Sequence, residues 1–165
     1  MSDYFPGEIT IGGRVTRAQW YRMVEMECVL DNFDPQTGED TSGAITSDGT
    51  ITLHDPDATY GHFDGLEQVL REDGIPYDRQ ANAAYEHSGE EASFRPGMED
   101  ELVAASLQDG AGILCNAGKV VDYIERGLTL AEIMALDDGD DGIKLAILRR
   151  EQPLPPFEFV TEEEG

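Results

Sequence analysis

The amino-acid sequence predicts an α+β fold: an antiparallel or mixed sheet of four to six strands, with three or four helices packed on one sheet face. Strand-like and helix-like segments alternate in the order β-α-β-α-β-β over the N-terminal two thirds. Of the 165 residues, 39% are hydrophobic, which is enough to fill an ordinary core. We expect an α+β core at 1–97, a helical extension packed on that core at 98–150, and an extended acidic tail at 151–165.

Two strands and one helix are predicted before residue 60. GEITIGG at 7–13 alternates in polarity and ends in two glycines, as a short strand followed by a turn does. Thr16 and Gln19 have the spacing of a capping box, which predicts that a helix begins there, with an apolar stripe starting at Trp20. The segments that follow are predicted as a loop at 31–43, a strand at 50–55 and a turn at 55–61.

Residues 60–79, YGHFDGLEQVLREDGIPYDR, predict a helix that runs into a strand. Gly74 is placed to end the helix in the left-handed conformation, and Pro76 favours an extended chain. One side of this helix is apolar, with Phe63, Leu66, Val69 and Leu70. Four acidic side chains are predicted to point outward: Asp64, Glu67, Glu72 and Asp73. Strands are then predicted at 75–80, 81–88 and 91–97.

The C-terminal third is predicted to contain two helices. The segment at 101–107 fits a helix or a strand equally well. A helix is predicted at 117–127, ending at Gly127, with Val120, Val121 and Ile124 facing inward. Thr129 and Glu132 form a second capping box, which predicts a short helix at 130–136. The remaining segments are predicted as a strand at 142–150 and an extended chain at 151–160.

The charge of the chain is its most unusual property. There are 35 Asp and Glu against 11 Lys and Arg, a net charge of −24. Residues 1–60, 61–100 and 101–165 carry −8, −7 and −9, so no single acidic tail is the source. Binding to nucleic acid requires clustered Lys and Arg, which argues against a direct nucleic-acid partner. No membrane-spanning run and no signal peptide are found, so we expect a cytoplasmic protein without a membrane partner.

Residues suited to catalysis or metal binding are few. Cys28 and Cys115 form no metal-type pair, and we expect no cofactor and no catalytic residue. The alternative is a metal-dependent or small-molecule enzyme that uses the region of His54, Asp55, Asp57 and His62. A calcium loop starting at Asp55 fails, because its sixth position is Tyr60 instead of Gly and its twelfth is Leu66 instead of Glu.

The acidic helices suggest mimicry of DNA. Carboxylates three or four residues apart on a helix lie roughly 5–6 Å from each other, which is similar to the spacing of phosphates along a strand. Such a surface would bind a basic, nucleic-acid-binding surface of another protein. The predicted partner-binding residues are Glu25, Glu27, Asp64, Glu67, Glu72 and Asp73. A third interpretation is an acidic domain adapted to high internal salt, with no partner for its acidic surface.

Residues 59–98 carry a resemblance. They contain an aromatic-Gly-x-Phe start at 60–63, Gly-Ile-Pro-aromatic-Asp-Arg at 74–79, Tyr85-Glu86 and Phe-Arg-Pro-Gly at 94–97. In these features the chain resembles small acidic proteins encoded on bacterial phages, plasmids and integrative elements. The resemblance implies a task between element and host, such as counter-defence by anti-CRISPR or DNA-mimicking anti-restriction proteins. It thus implies a non-enzymatic inhibitor whose partner is a host defence protein or nucleoprotein with a basic surface.

Overall fold

The structure is a computed structural model that describes residues 4–26, 49–59, 63–81, 89–106 and 112–160, without the side chains of residues 4–6, 55–59 and 159. Several predictions lie outside the described residues. These are the loop at 31–43, most of the strand at 81–88, the end of the tail at 161–165, and the residues Glu27, Cys28, Tyr60 and His62.

The predicted α+β class is confirmed. The strands are β1 (Tyr4–Ile11), β2 (Gly13–Thr16), β3 (Ile51–Thr59), β4 (Tyr77–Ala81), β5 (Gly89–Phe94), β6 (Leu102–Ser106) and β7 (Phe157–Val160). Five of them form an antiparallel sheet in the order β3-β1-β4-β5-β6. β2 and β7 pair in parallel as a second, two-stranded sheet. The segment at 151–160 is predicted as extended: its end, 157–160, forms β7 beside β2, whereas Glu151 is helical.

Two predictions about strands are settled by the sheet. The ambiguous segment at 101–107 is a strand, β6, at one edge of the main sheet. The strand predicted at 50–55 continues to Thr59, so the turn predicted at 55–61 is wrong up to that residue. Pairing with β1, which extends from Tyr4↔Thr59 to Ile11↔Ile51, keeps this segment extended despite Pro56.

One face of the main sheet is covered by α1 (Arg17–Met26) and α2 (Asp64–Glu72). The predicted capping box at the start of α1 is confirmed: the Gln19 amide donates to Thr16 Oγ1 (3.2 Å), and the Thr16 amide donates to Gln19 Oε1 (2.9 Å). The helices and the sheet together bury one main core, which includes Ile9, Ile11, Trp20, Met23, Leu66, Leu70, Tyr77 and Phe94. Gly74 follows α2 at φ +69°, the left-handed ending that the sequence predicts.

The opposite face of the sheet is covered in part by a C-terminal helix. The helices after β6 are α3 (Ala117–Arg126), α4 (Leu130–Met134) and α5 (Asp141–Glu151). Neighbouring residues of a strand point to opposite faces. On β4, Arg79 binds Glu67 of α2, whereas Asp78 lies 3.7 Å from Arg149 of α5. The prediction that the helices pack on one face only is therefore wrong.

The strand predicted at 142–150 is also wrong, because this segment is α5. Asp140 caps the helix by accepting the Ile143 amide at 2.9 Å. The helix is apolar on two sides: Leu145 and Leu148 are buried, and Ile147 packs against Tyr123 and Ile133 in a second core. An apolar pattern on two sides hides the helical period, so the sequence pattern does not distinguish this helix from a strand.

The inward side of α3 is predicted incorrectly. Val121 and Ile124 are 53% and 74% exposed, and Tyr123 is the buried residue of this helix. The predicted end at Gly127 is confirmed by its φ of +64°. The second capping box is confirmed as well, since Thr129 Oγ1 accepts the Glu132 amide and Glu132 accepts the Thr129 amide. Within the described segments, no helix has both the length and the apolar character needed to cross a membrane.

Candidate partner-binding site

The predicted acidic surface lies on α1 and α2, which run side by side in opposite directions. Arg22 of α1 binds Glu72 (2.6 Å) and Asp73 at the C-terminal end of α2. At the other end, Met26 Sδ lies 3.1 Å from the position that a Cβ on Gly65 would occupy. Gly65 therefore lets the end of α1, which contains Glu25, approach the start of α2, which contains Asp64.

The six predicted partner-binding residues have different positions. Glu25, Asp64 and Glu72 are exposed. The Asp73 side chain is only 13% exposed and is held by Arg22, which makes it a poor substitute for a phosphate. Glu27 lies outside the described residues, and Glu67 is buried. The structure thus leaves three of the predicted acidic side chains on the described surface of the helix pair: Glu25, Asp64 and Glu72.

Glu67 does not point outward, and this prediction is wrong. Its Oε1 accepts from Arg79 Nε at 2.6 Å, and its Oε2 accepts from the Phe63 amide at 2.8 Å, at the start of α2. Burial raises the pKa of Glu67 to about 7, although the positive charge of Arg79 opposes this change. Helical spacing predicts Glu67 on the polar side of α2. The glutamate side chain is long enough, however, for its carboxylate to reach back under the helix to Arg79.

Arg79 is the centre of a buried network. Besides Glu67 it binds Glu90 (2.8 Å) and Glu101 (3.0 Å), and its side chain is 1% exposed. Tyr77 donates to Glu101 at 2.7 Å, and burial raises the pKa of this tyrosine above its ordinary value. Burial would lower the pKa of Arg79, but the charges of Glu67 and Glu101 outweigh that effect and raise it. These groups hold α2 to the sheet.

A second arginine centre lies on the other face of the sheet. Arg149 of α5 donates to Glu91 Oε1 (2.7 Å) and Ser93 Oγ (2.7 Å) of β5. Arg95 is buried, donates to Asp78 Oδ1 (2.9 Å), and reaches the carbonyl of Gln152 just after α5. The two arginines attach α5 to the sheet in the same manner in which Arg79 attaches α2.

Most of the basic residues are bonded to other groups of the fold. All 11 Lys and Arg lie in the described part of the chain. The side chains of two of them, Arg17 and Arg150, make no hydrogen bond or ion pair with any described residue. The others bond to carboxylates or to backbone carbonyls: Arg14, Arg22, Arg71, Arg79, Arg95, Lys119, Arg126, Lys144 and Arg149. Five of the 11 basic residues are exposed, and three of these, Arg14, Arg22 and Arg126, form ion pairs with carboxylates, so the described surface has few basic side chains without a carboxylate partner.

Exposed carboxylates occur on both sides of the sheet. Near the α1–α2 pair, Asp100 lies 3.6 Å from Arg71 of α2, and Glu99, the exposed residue that precedes Asp100, is included with it. We call Glu25, Asp64, Glu72, Glu99 and Asp100 the acidic patch. On the α3–α5 side the exposed acids include Glu125, Asp137, Asp138, Asp141 and Glu151. Within the described part of the chain, exposed acid therefore lies on both sides of the sheet, and the acidic patch is one part of it.

The region of the enzymatic alternative is only partly described. His54 is exposed on β3, with Nε2 3.3 Å from Glu8 Oε2 on β1. The side chains of Asp55 and Asp57, like His62, lie outside the description. Among the described residues there is no group of three or more His, Cys, Asp or Glu that is arranged to hold a metal ion.

The fold and the acidic patch define a small acidic α+β protein whose buried arginines attach the helices to both faces of a sheet. Comparisons of the chain with protein families, with curated proteins and with solved structures find no match. The resemblance to proteins of phages, plasmids and integrative elements therefore stays a prediction.

Proposed function

We propose that this protein is a non-enzymatic inhibitor that binds a basic, nucleic-acid-binding surface of a host defence complex and blocks it by mimicking DNA. The observation that carries the proposal is the excess of acid that remains after the basic residues are bonded within the fold. There are 35 Asp and Glu against 11 Lys and Arg, and nine of the 11 bases already bond to carboxylates or backbone carbonyls, so the protein offers a basic partner many carboxylates and few competing cations.

The acidic patch suits this role because α1 and α2, the helices that carry three of its five residues, are held in place. α2 is held to the sheet through Glu67 and Arg79, and α1 is held to α2 through Arg22. Asp64 and Glu72 lie eight residues apart on one helix, with the exposed Gln68 between them. Side chains at this spacing lie on the same helix face. A fixed row of acid loses less conformational entropy on binding than a flexible acidic tail would.

A salt-dependent capture experiment tests the proposal. The tagged protein is incubated with bacterial lysate and washed at low and at high salt. We expect a nucleic-acid-binding complex to be retained at low salt and released at high salt, because screening weakens contacts between exposed charges. If the folded protein retains no such complex at low salt, the proposal fails.

Two charge-reversal variants locate the surface. Glu25→Lys, Asp64→Lys and Glu99→Lys together alter the acidic patch. The matched control, Glu125→Lys, Asp137→Lys and Glu151→Lys, makes the same change in net charge on the α3–α5 side. We expect the first variant to lose the complex and the second to keep most of it, with circular dichroism showing that both are folded. Equal loss in both would show that the charge acts as a shell, with no specific patch.

A further inference from the structure

An apolar groove lies between α5 and the segment that follows β6. Its volume is about 260 Å³, and its apolar walls come from Ile113, Leu130, Ile143, Ala146 and Ile147. The thiol of Cys115 stands at its edge and is exposed. The groove lies among the C-terminal helices and shares no residue with the acidic patch.

The walls of the groove are fixed by the fold. Ile113 forms a β-bridge with Ser106, and the Leu114 amide donates to the Ala105 carbonyl at 2.9 Å. The same segment crosses α5 at Gly142, where a Cβ would stand 2.0 Å from the Leu114 carbonyl oxygen. Leu130 is the first residue of α4 and is held by the capping box of Thr129. The groove is therefore preformed, as small-molecule sites usually are.

One of the residues that line the groove is a cation, Arg150. Ile143, Ala146, Ile147 and Arg150 follow one another at the spacing i, i+3, i+4, i+7 and lie on one side of α5. The neighbouring Arg149 turns to the sheet and bonds to Glu91 and Ser93. Arg150 lines the groove, and its guanidinium bonds to no described residue, in a chain where nearly every other base is bonded within the fold.

We propose that this groove binds a small amphiphilic anion, an alkyl chain that ends in a carboxylate. The chain would lie on the apolar side of α5, and the carboxylate would accept the fork of N–H groups of Arg150. Both the net charge of −24 and the C-terminal end of α5 disfavour an anion. Selectivity for a carboxylate therefore has to come from Arg150. This inference does not depend on the proposed inhibitory function.

The size of the groove limits the ligand. Clefts for drug-sized ligands measure roughly 300–1,000 Å³, so a groove of about 260 Å³ fits a short chain such as octanoate. Each CH₂ group that becomes buried adds up to about fourfold in affinity. We expect affinity to rise from butanoate through hexanoate to octanoate, and to level off once the chain extends beyond the groove.

The test uses the intact protein and three probes of equal chain length: octanoate, octyl alcohol and octylammonium. Binding is followed by NMR chemical shifts and by the rate at which iodoacetamide alkylates Cys115, resolved by peptide mass spectrometry. We expect saturable binding of octanoate that slows alkylation of Cys115, about tenfold weaker binding of the alcohol, and the weakest binding of the ammonium compound.

Variants assign the binding to its residues. Arg150→Gln should remove the preference for octanoate over the alcohol. Arg17→Gln should keep this preference. It removes the same charge at Arg17, the other basic side chain that bonds to no described residue. Ala146→Phe fills the groove from an exposed position of α5 and should abolish binding of both compounds. The proposal is overturned if octanoate does not saturate, if the alcohol or the ammonium compound binds as tightly, or if Arg17→Gln and Arg150→Gln act alike.

Discussion

Replacing Arg79 by Met tests whether the buried network holds the helices to the sheet. The wild-type guanidinium donates to three carboxylates, those of Glu67, Glu90 and Glu101, at 2.6, 2.8 and 3.0 Å. Methionine fills most of the same space with an apolar chain. The substitution therefore removes the positive charge and the hydrogen bonds, and leaves carboxylates facing an apolar side chain.

The size of the stability loss in Arg79→Met follows from the burial of the Arg79–Glu67 pair. The side chains of Arg79 and Glu67 are 1% and 3% exposed, so solvent does not screen this pair. Removing one partner of a buried ion pair costs about 3–5 kcal/mol, because the other charge stays buried without compensation. Arg79 Nη1 is itself buried with no hydrogen-bond partner, which places the expected cost near the lower end, about 3 kcal/mol.

The assay is urea unfolding followed by circular dichroism at pH 6 and at pH 8.5. Without Arg79 the pKa of Glu67 rises further, and a carboxyl whose folded pKa is raised loses its contribution to stability as pH increases. The penalty of the Arg79→Met substitution should therefore be larger at pH 8.5. The matched control is Arg126→Met, since Arg126 forms an exposed ion pair with Asp122, and this change should cost about 0.5 kcal/mol or less.

A double variant tests the reason for the loss. Adding Glu67→Leu to Arg79→Met removes the uncompensated carboxylate, so part of the stability should return. A penalty below about 1 kcal/mol for Arg79→Met, or simple additivity of the two substitutions, would refute the assignment of Arg79 and Glu67 as a coupled buried pair.

Three further variants test the fold. Burial raises the pKa of Glu67 to about 7, so Glu67 contributes its full stability below about pH 4, where it is protonated in both the folded and the unfolded state. Urea unfolding of the wild type and of Glu67→Gln should show this contribution falling between pH 5 and 8, by on the order of 2–3 kcal/mol. Gly142→Ala should destabilise the protein by about 1–3 kcal/mol in thermal unfolding, because its Cβ would meet the Leu114 carbonyl at 2.0 Å. Thr129→Ala should cost about 1 kcal/mol and speed amide exchange in α4, where the capping box is lost.

Local signals in the sequence predicted the boundaries of several elements. Both capping boxes and the left-handed glycines after α2 and α3 are found where their residue types require them. These signals depend on neighbouring residues only, and tertiary contacts do not change them. The strand assignment of α5 failed for the opposite reason. Its apolar residues face two different partners, the sheet and α3–α4, and this organisation is a property of the whole fold.

The candidate site was predicted only in part, because charge patterns do not show which carboxylates are internal. Glu67 follows the polar spacing of α2 but is drawn inward by Arg79. A signal was present in YDRQA at 77–81, where Arg79 occupies the same strand face as the apolar Tyr77 and Ala81. An arginine in such a position is buried and needs a carboxylate near it. Asp100 was missed because its proximity to α2 depends on Arg71, more than twenty residues away in sequence.

Competition between this protein and DNA for the same complex is the decisive test of DNA mimicry. Labelled duplex DNA is bound to the complex that the tagged protein retains from lysate, and the unlabelled protein is added at several salt concentrations. If the protein mimics DNA, it displaces the DNA completely, displacement weakens as salt increases, and the acidic-patch variant displaces much less than its matched control. Simultaneous binding of DNA and protein to the complex would contradict DNA mimicry.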